Sequence, residues 1–140
     1  MLARRDYARA ELERRLALRG GSREEIQSTL TDLERLGYLS DGRYAQSVVA
    51  QKAGRYSRRA IARELAQRQV AEPAVKEALA AIAGNDEIAE ATALWQRRFG
   101  VAPSDDREKA RQLRFLFSRG YSTDVAWKVL RAAGVKDDQP

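Results

Sequence analysis

The chain repeats itself at an interval of about 50 residues. A shift of 49 positions superposes apolar residues, placing Leu12 on Ile61, Leu16 on Leu65, Ile26 on Val75, Leu30 on Leu79 and Leu33 on Ile82. A shift of 100 positions does the same for Leu16 on Leu116, Gly20 on Gly120, Ser22 on Ser122 and Leu30 on Leu130. A repeat of this length predicts a row of small helical modules that stabilise one another, rather than one round domain.

Helical periodicity fills the stretches between successive glycines, and no segment shows the alternation of a half-buried strand. We therefore predict an all-α fold with eight helices. The first two are expected over about 8–19 and 22–37, and the third over 41–53. Predicted starts of the other five are Ser57, Pro73, Asn85 or Asp86, Ser104 and Ser122, the serines acting as N-caps.

The repeat groups these helices into an elongated, curved array of tandem three-helix modules. Their predicted bounds are 1–38, 39–83 and 84–135, followed by a tail at 136–140. Because little more than Met1–Arg5 precedes the Tyr7 position of the repeat, the first module is expected to lack most of its opening helix.

A helix ends and another begins within residues 36–45. Gly37 suits the left-handed position that ends a helix, and Ser40 or Asp41 can cap the next one. Tyr38 and Leu39 are expected to wedge this joint. Periodicity turns Tyr44 inward on the third helix; the alternative is that Arg43 and Tyr44 are exposed and touch a partner.

Composition disfavours an enzyme. The sequence contains neither cysteine nor histidine, which removes the usual zinc ligands, the thiol nucleophile and the common proton shuttle. A carboxylate enzyme using Asp105 and Asp106 finds no convergent partner residues, so no cofactor or metal is expected. Without an apolar run of about 18 residues or a signal peptide, we expect a cytoplasmic protein that does not span a membrane.

The net charge of +6 favours an acidic partner, either nucleic acid or a protein assembled on it. Residues 42–68 hold seven basic residues against one acidic, and residues 97–119 hold seven against three. Arg55, Arg59 and Arg63 are four positions apart. Such a row is either a solvated helix face or a surface for phosphates or carboxylates.

Aromatic residues concentrate in the last third of the chain, and helical spacing predicts that most are core. An aromatic residue exposed beside Arg98 or Arg114 would instead indicate base stacking or an interface anchor.

Four motifs in order resemble the RecX family, regulatory proteins that bind and restrain the RecA recombinase. They are the segment 7–16, the stretch LERLGYLSDGRYA at 33–45, the set Gly54, Ile61, Glu64 and Leu65, and RFLFSRGYS at 114–122. One departure is Gln69-Val70, which stands where the family usually ends a helix with glycine. We expect that turn to be looser or differently capped.

The resemblance implies a non-enzymatic helical arc in the groove of the RecA filament on single-stranded DNA. There it would suppress strand exchange, ATP hydrolysis and the co-protease activity behind the SOS response, acting as a monomer. The residues hypothesised to face the filament or its DNA are Arg55, Arg58, Arg59, Arg63 and Arg68, assisted by Arg43, Tyr44, Arg98 and Arg114.

The alternative is a basic helical protein that acts directly on DNA. Two helices flanking Gly20-Gly21-Ser22 resemble a helix-turn-helix, but the second carries Glu24 and Glu25, which repel phosphates. Weak, salt-sensitive DNA affinity is compatible with RecA binding.

Overall fold

The computed structural model describes residues 6–82 and 86–136, which form helices joined by short connections. The helices are α1 (Arg9–Leu18), α2 (Arg23–Arg35), α3 (Asp41–Lys52), α4 (Arg58–Gln67), α5 (Glu72–Ala80), α6 (Glu87–Arg98), α7 (Asp106–Ser118) and α8 (Thr123–Ala132). Outside them the described residues show one isolated bridge, between Ala53 and Tyr56, and no strand. The all-α prediction is confirmed. The stub at 1–5, Asn85 and positions 137–140 of the predicted tail lie outside the described residues.

Most helix starts follow the predicted caps. Ser22 accepts a hydrogen bond from the Glu25 backbone N–H at 3.2 Å, and Ser122 accepts one from Val125 at 3.2 Å. The predicted Ser104 cap of α7 is wrong. Asp105 accepts from the Glu108 N–H at 2.8 Å instead, and its negative charge also suits a helix N-terminus.

The chain divides into two compact units. Unit 1 contains Met1–Gln51 and Ala62–Ile82, and unit 2 contains Lys52–Ile61 and Ala83–Pro140. The boundary passes through α4. The module bounds 1–38, 39–83 and 84–135 follow the sequence repeat rather than packing, and they stay a prediction.

The first core cluster of unit 1 consists of Ile26, Leu30 and Leu39. Leu39 is 2% exposed, as predicted, but Tyr38 is 52% exposed, so its predicted wedging role is wrong. The Tyr38 and Leu39 N–H groups both donate to the Leu33 carbonyl in this turn, and only the Leu39 side chain reaches the core. The helical spacing of Leu36 from Leu30 and Leu33 predicts a buried position, but Leu36 is the C-cap of α2 and is also exposed.

One carboxylate in unit 1 joins the starts of three helices. Ser40 caps α3 by accepting from the Arg43 N–H at 3.1 Å, which leaves the Asp41 side chain available for other helices. Its Oδ1 accepts from the Arg9 N–H at 2.9 Å, at the start of α1, and its Oδ2 from the Ala71 N–H at 3.0 Å, at the N-cap of α5. A carboxylate is favourable at helix N-termini, where the backbone presents unpaired N–H groups.

The turn after α4 closes without glycine. Gln69 takes φ 59°, and the Val70 N–H donates to the Leu65 carbonyl at 3.1 Å. The Tyr121 N–H makes the equivalent bond to Leu116, also at 3.1 Å, in the turn that contains Gly120. The expectation of a looser or differently capped turn is therefore wrong, because Gln69 adopts the left-handed conformation that glycine usually supplies.

The core of unit 2 forms where α6, α7 and α8 pack together. It contains Trp95 and Tyr121, as predicted for most aromatics, while Phe117 is 40% exposed. The buried Gln112 accepts a hydrogen bond from Trp95 Nε1 at 2.7 Å and donates one to the Val101 carbonyl at 3.1 Å. Both ends of this amide are thereby satisfied, as burial requires.

The first turn of α4 is held against the α7–α8 turn. Ser57 is fully buried; its N–H donates to the Arg119 carbonyl at 2.8 Å and its Oγ donates to the Gly120 carbonyl at 2.9 Å. Ser57 Oγ also caps α4 by accepting from the Ala60 N–H at 3.0 Å. A Cβ on Gly120 would lie 2.4 Å from Ser57 Oγ and 2.6 Å from Ala60 Cβ.

Asp41→Ala removes two acceptors at once, so we expect the free energy of unfolding to fall by about 2–3 kcal/mol. Ser40→Ala, which removes one cap from the same turn, is expected to cost about 1 kcal/mol. Urea unfolding followed by circular dichroism measures both. Equal losses would show that the Arg9 and Ala71 bonds contribute nothing.

Gly120→Ala is expected to destabilise more than Gly20→Ala. Both glycines have left-handed φ angles, of 94° and 90°, but a Cβ on Gly20 meets no atom within 4 Å. Each substitution incurs backbone strain of about 1–2 kcal/mol, and the contacts with Ser57 and Ala60 add about 1–3 kcal/mol at Gly120 alone. The comparison uses unfolding midpoints, and equal shifts would contradict close packing at Gly120.

Burial, reinforced by Glu90 and Glu87, raises the pKa of Tyr121 to about 12. An unfolded tyrosine loses its hydroxyl proton at a pH of about 10. In the folded protein, Tyr121 keeps its hydroxyl proton up to a pH of about 12. Stability from this group is therefore complete below the lower value and is lost as the pH rises toward the upper one. In alkaline thermal melts, Tyr121→Phe should weaken this loss and the exposed-site variant Tyr38→Phe should leave it unchanged. A wild-type slope in Tyr121→Phe would refute the assignment.

Candidate functional site

Among the described residues, the excess of positive charge lies in one unit. The described residues of unit 2 include fourteen lysines and arginines against seven acidic residues, whereas those of unit 1 include ten against eleven. A polyanion is therefore attracted to unit 2.

Every acidic side chain described in unit 2 caps a helix or forms an ion pair. Asp86 and Asp105 cap α6 and α7. The other five lie within 4 Å of a cation, in the pairs Glu87–Arg59, Glu90–Arg58, Asp106–Lys109, Glu108–Arg111 and Asp124–Lys128. The arginines that remain without a carboxylate partner among the described residues include Arg55, Arg97, Arg98, Arg114 and Arg119.

The loop between α3 and α4, residues 53–57, gathers several of these arginines. Arg97 Nη2 donates to the Gly54 carbonyl at 2.5 Å, and Arg119 Nη1 donates to the Arg55 carbonyl at 3.3 Å. These bonds bring the C-terminal ends of α6 and α7 to the same loop, because Arg97 lies in the last turn of α6 and Arg119 caps α7.

Cations and aromatic rings alternate across this part of unit 2. Arg119 lies 4.8 Å from the Tyr56 ring centroid and 5.1 Å from that of Phe115, and Arg98 lies 5.6 Å from Phe115 and 5.4 Å from Phe99. Lys52 over Tyr56 and Arg111 over Phe99, at 5.1 and 5.4 Å, complete the series. We call this set the cation–aromatic ladder, and its members are Lys52, Tyr56, Arg119, Phe115, Arg98, Phe99 and Arg111.

The rings of the ladder are half-buried, and Phe99 meets Phe115 edge to face at 5.4 Å between centroids. Arg98 and Arg111 are exposed above them. A guanidinium over a ring is attracted by the ring's negative face while its N–H groups remain at its edge. The ladder therefore presents oriented hydrogen-bond donors to solvent.

The predicted contact residues fall into three groups. Arg55, Arg63, Arg98 and Arg114 are exposed and have no carboxylate partner among the described residues. Arg43, Arg58, Arg59 and Arg68 are paired with Asp6, Glu90, Glu87 and Glu64, at 3.3 to 3.6 Å. Tyr44 is 6% exposed and belongs to the core, so the alternative of an exposed Tyr44 is wrong.

The structure brings Arg98 into the ladder. The predicted row of Arg55, Arg59 and Arg63, however, is not one helix face free of ion pairs. Arg55 precedes α4, and Arg59 faces Glu87. The sequence did not predict that Arg97, Arg111 and Arg119 lie close together, or that Tyr56, Phe99 and Phe115 lie among them. The available signal was local: RRF at 97–99 and RF at 114–115 place arginine beside phenylalanine, but only folding joins them to Tyr56.

The described residues contain no group of three or more carboxylates that could hold a metal ion. None of the helices in the described ranges is both long and apolar enough to cross a bilayer. The surface consists of cations, rings and backbone carbonyls. Such a surface can bind an acidic partner.

Comparisons with known proteins identify the family. The family model described as the second three-helix domain of RecX matches residues 40–79, and that of the third three-helix domain matches residues 85–130. A crystal structure of RecX from Lactobacillus salivarius superposes with a TM-score of 0.69, covering 94% of this chain and 88% of that one. At 17% identity this likeness concerns the fold alone.

Sequence relatives extend the match to nearly the whole chain. The regulatory protein RecX of Leptothrix cholodnii is 44% identical over 137 residues, which cover 98% of this chain and 87% of the relative. That of Chromobacterium violaceum is 41% identical over 138 residues, covering 99% and 88%. The resemblance predicted from four motifs is confirmed, and this chain belongs to the RecX family of regulatory proteins.

Proposed function

We propose that this protein binds the RecA filament on single-stranded DNA and restrains it, lowering strand exchange, ATP hydrolysis and co-protease activity. The observation that carries the proposal is identity of 44% with a regulatory protein RecX over nearly the full chain. In this proposal the protein acts in the cytoplasm, as a monomer, without catalytic activity of its own.

A physical argument supports regulation by binding alone. A ligand shifts a conformational equilibrium by the difference between its affinities for the two states. A protein that binds neighbouring protomers of a filament in one arrangement therefore opposes every rearrangement that ATP turnover and strand exchange require. Neither a cofactor nor a chemical step is needed for this effect.

The exposed arginines are the best candidates for contacts with the filament. Arg55 and Arg63 have no carboxylate partner among the described residues, so they meet a partner without first breaking an ion pair. Arg58, Arg59, Arg68 and Arg43 would have to exchange partners. The proposal omits Tyr44, because its side chain is buried.

The test adds the protein to a preformed RecA filament on single-stranded DNA and follows ATP turnover. We expect inhibition that increases with protein concentration. The double variant Arg55→Glu, Arg63→Glu should require about tenfold more protein for half-inhibition, since two contact charges are reversed.

The matched control is Arg19→Glu, Arg23→Glu, which makes the same change in net charge at two exposed positions of unit 1. It should inhibit like the wild type, with circular dichroism confirming that all three proteins are folded. Absence of inhibition by excess wild-type protein would refute the proposed function. Equal weakening by both variants would refute the assignment of Arg55 and Arg63.

A further inference from the structure

We propose that Arg97 and Arg119 are positioning residues, which hold the loop between α3 and α4 so that Arg55 meets the RecA filament in one fixed orientation. The proposal rests on the function proposed above, because it concerns a residue assigned there to the contact with RecA. In it, the guanidinium groups of Arg97 and Arg119 act on the backbone of this chain, and Arg55 alone acts on the partner.

The loop depends on hydrogen bonds because it buries little apolar surface. Within residues 53–57 only Ser57 is buried, and Gly54 and Arg55 are exposed. Gly54 also takes φ 80°, and glycine has more conformational freedom to lose on folding than any other residue. A loop of this composition is expected to open easily unless other groups hold its backbone.

The guanidinium groups supply that support. Arg97 Nη2 donates to the Gly54 carbonyl at 2.5 Å, and Arg119 Nη1 donates to the Arg55 carbonyl at 3.3 Å. Hydrogen bonds from a charged donor are stronger than those between neutral groups. The Arg119 carbonyl also accepts from the Ser57 N–H at 2.8 Å, so Arg119 binds the loop through both its backbone and its side chain.

Two aromatic rings hold the Arg119 side chain in place. Its guanidinium carbon lies 4.8 Å from the ring centroid of Tyr56, within the loop, and 5.1 Å from that of Phe115, on α7. Attraction to both rings restricts the rotamers of this long side chain. The donor to the Arg55 carbonyl therefore has a defined position relative to α7.

These bonds fix the backbone of Arg55 and leave its side chain available. The Arg55 N–H donates to the Lys52 carbonyl at 3.0 Å and the Arg55 carbonyl accepts from Arg119, so both polar groups of this backbone unit are bound. The side chain is exposed and has no carboxylate partner among the described residues. Binding of this side chain by a partner therefore costs less conformational entropy than binding on a mobile loop.

Arg63, the other exposed arginine assigned to the contact with RecA, provides the comparison. It lies within α4, whose own hydrogen bonds hold its backbone. Loss of the bond from Arg97 to the loop should therefore weaken the contact made by Arg55 and leave that made by Arg63 unchanged. The two contact residues thus distinguish a positioning role of Arg97 from a direct one.

The experiment measures half-inhibition of RecA ATP turnover on single-stranded DNA, with Arg97→Met placed in the wild type, in Arg55→Ala and in Arg63→Ala. Methionine keeps an apolar stem but cannot donate to the Gly54 carbonyl. In the wild type and in Arg63→Ala, Arg97→Met should raise the concentration for half-inhibition about threefold, because one long side chain must now be ordered on binding.

The Arg55→Ala background should respond differently. Arg55→Ala alone should raise the concentration for half-inhibition about fourfold, and adding Arg97→Met should raise it further by less than about 1.5-fold. Independent contacts would instead multiply to about twelvefold. The expected non-additivity arises because the residue that the loop presents is already absent.

Hydrogen exchange measures the support of the loop without RecA. A peptide containing residues 52–57 should exchange about tenfold faster in Arg97→Met than in the wild type, and a peptide from α2 should exchange at the same rate in both. Arg119→Met should show the same faster exchange and the same dependence on Arg55. It keeps the test valid if circular dichroism shows that Arg97→Met fails to fold.

The outcomes separate this proposal from the proposed function. Absence of inhibition by the wild type would refute the proposed function and this proposal with it. Inhibition by the wild type with an equal threefold loss from Arg97→Met in all three backgrounds would overturn this proposal alone, as would an unchanged exchange rate in the loop or inhibition unaffected by Arg55→Ala. Faster exchange with a loss confined to the backgrounds that retain Arg55 supports it.

Discussion

The carboxylate of Asp41 joins the starts of three helices of unit 1. Three helix N-termini, those of α1, α3 and α5, meet at this residue, and each presents N–H groups that no helical carbonyl can satisfy. The two carboxylate oxygens of Asp41 accept from the starts of α1 and α5. The side chain is available for them because Ser40 caps α3. The buried residues Val48 and Val49 lie on α3 and Val75 lies on α5, two of the helices that begin at this residue.

In unit 2, a serine joins the start of a helix to a neighbouring turn. The buried Ser57 donates two hydrogen bonds to the α7–α8 turn, one from its backbone N–H and one from its hydroxyl, and the same hydroxyl caps α4. Gly120 allows this approach by lacking a side chain. The loop that precedes Ser57 is then held by Arg97 and Arg119 through its carbonyls. Local structure and the candidate binding surface are therefore connected. The same arginines that fix the loop form part of the cationic surface.

Much of the fold could be predicted because its signals are local. Glycine stops, serine caps and helical spacing depend on neighbouring residues, and they identified α2, α3 and α8 closely. Tyr38 and Leu36 were harder, since which side of a turn faces the core depends on packing. The departure at Gln69 was misjudged because a non-glycine residue can adopt the left-handed conformation when the surrounding hydrogen bonds hold it.

The candidate surface was predictable only in part. Sequence identified the basic character of residues 42–68 and 97–119 and singled out Arg98, but it cannot show which cations are neutralised. Folding brings Glu87 to Arg59 and Glu90 to Arg58, pairs separated by about 30 positions, and thereby removes part of the predicted row. Family membership was predictable from four short motifs, because their order carries more information than any one of them.

The unequal charge of the two units has a consequence for encounter with a polyanion. The electric field of such a polymer pulls on unit 2 and exerts almost no net force on unit 1. Encounter with the polymer is therefore expected to begin at unit 2. Raising the ionic strength shortens the range of this attraction, so encounter becomes slower and less selective for unit 2.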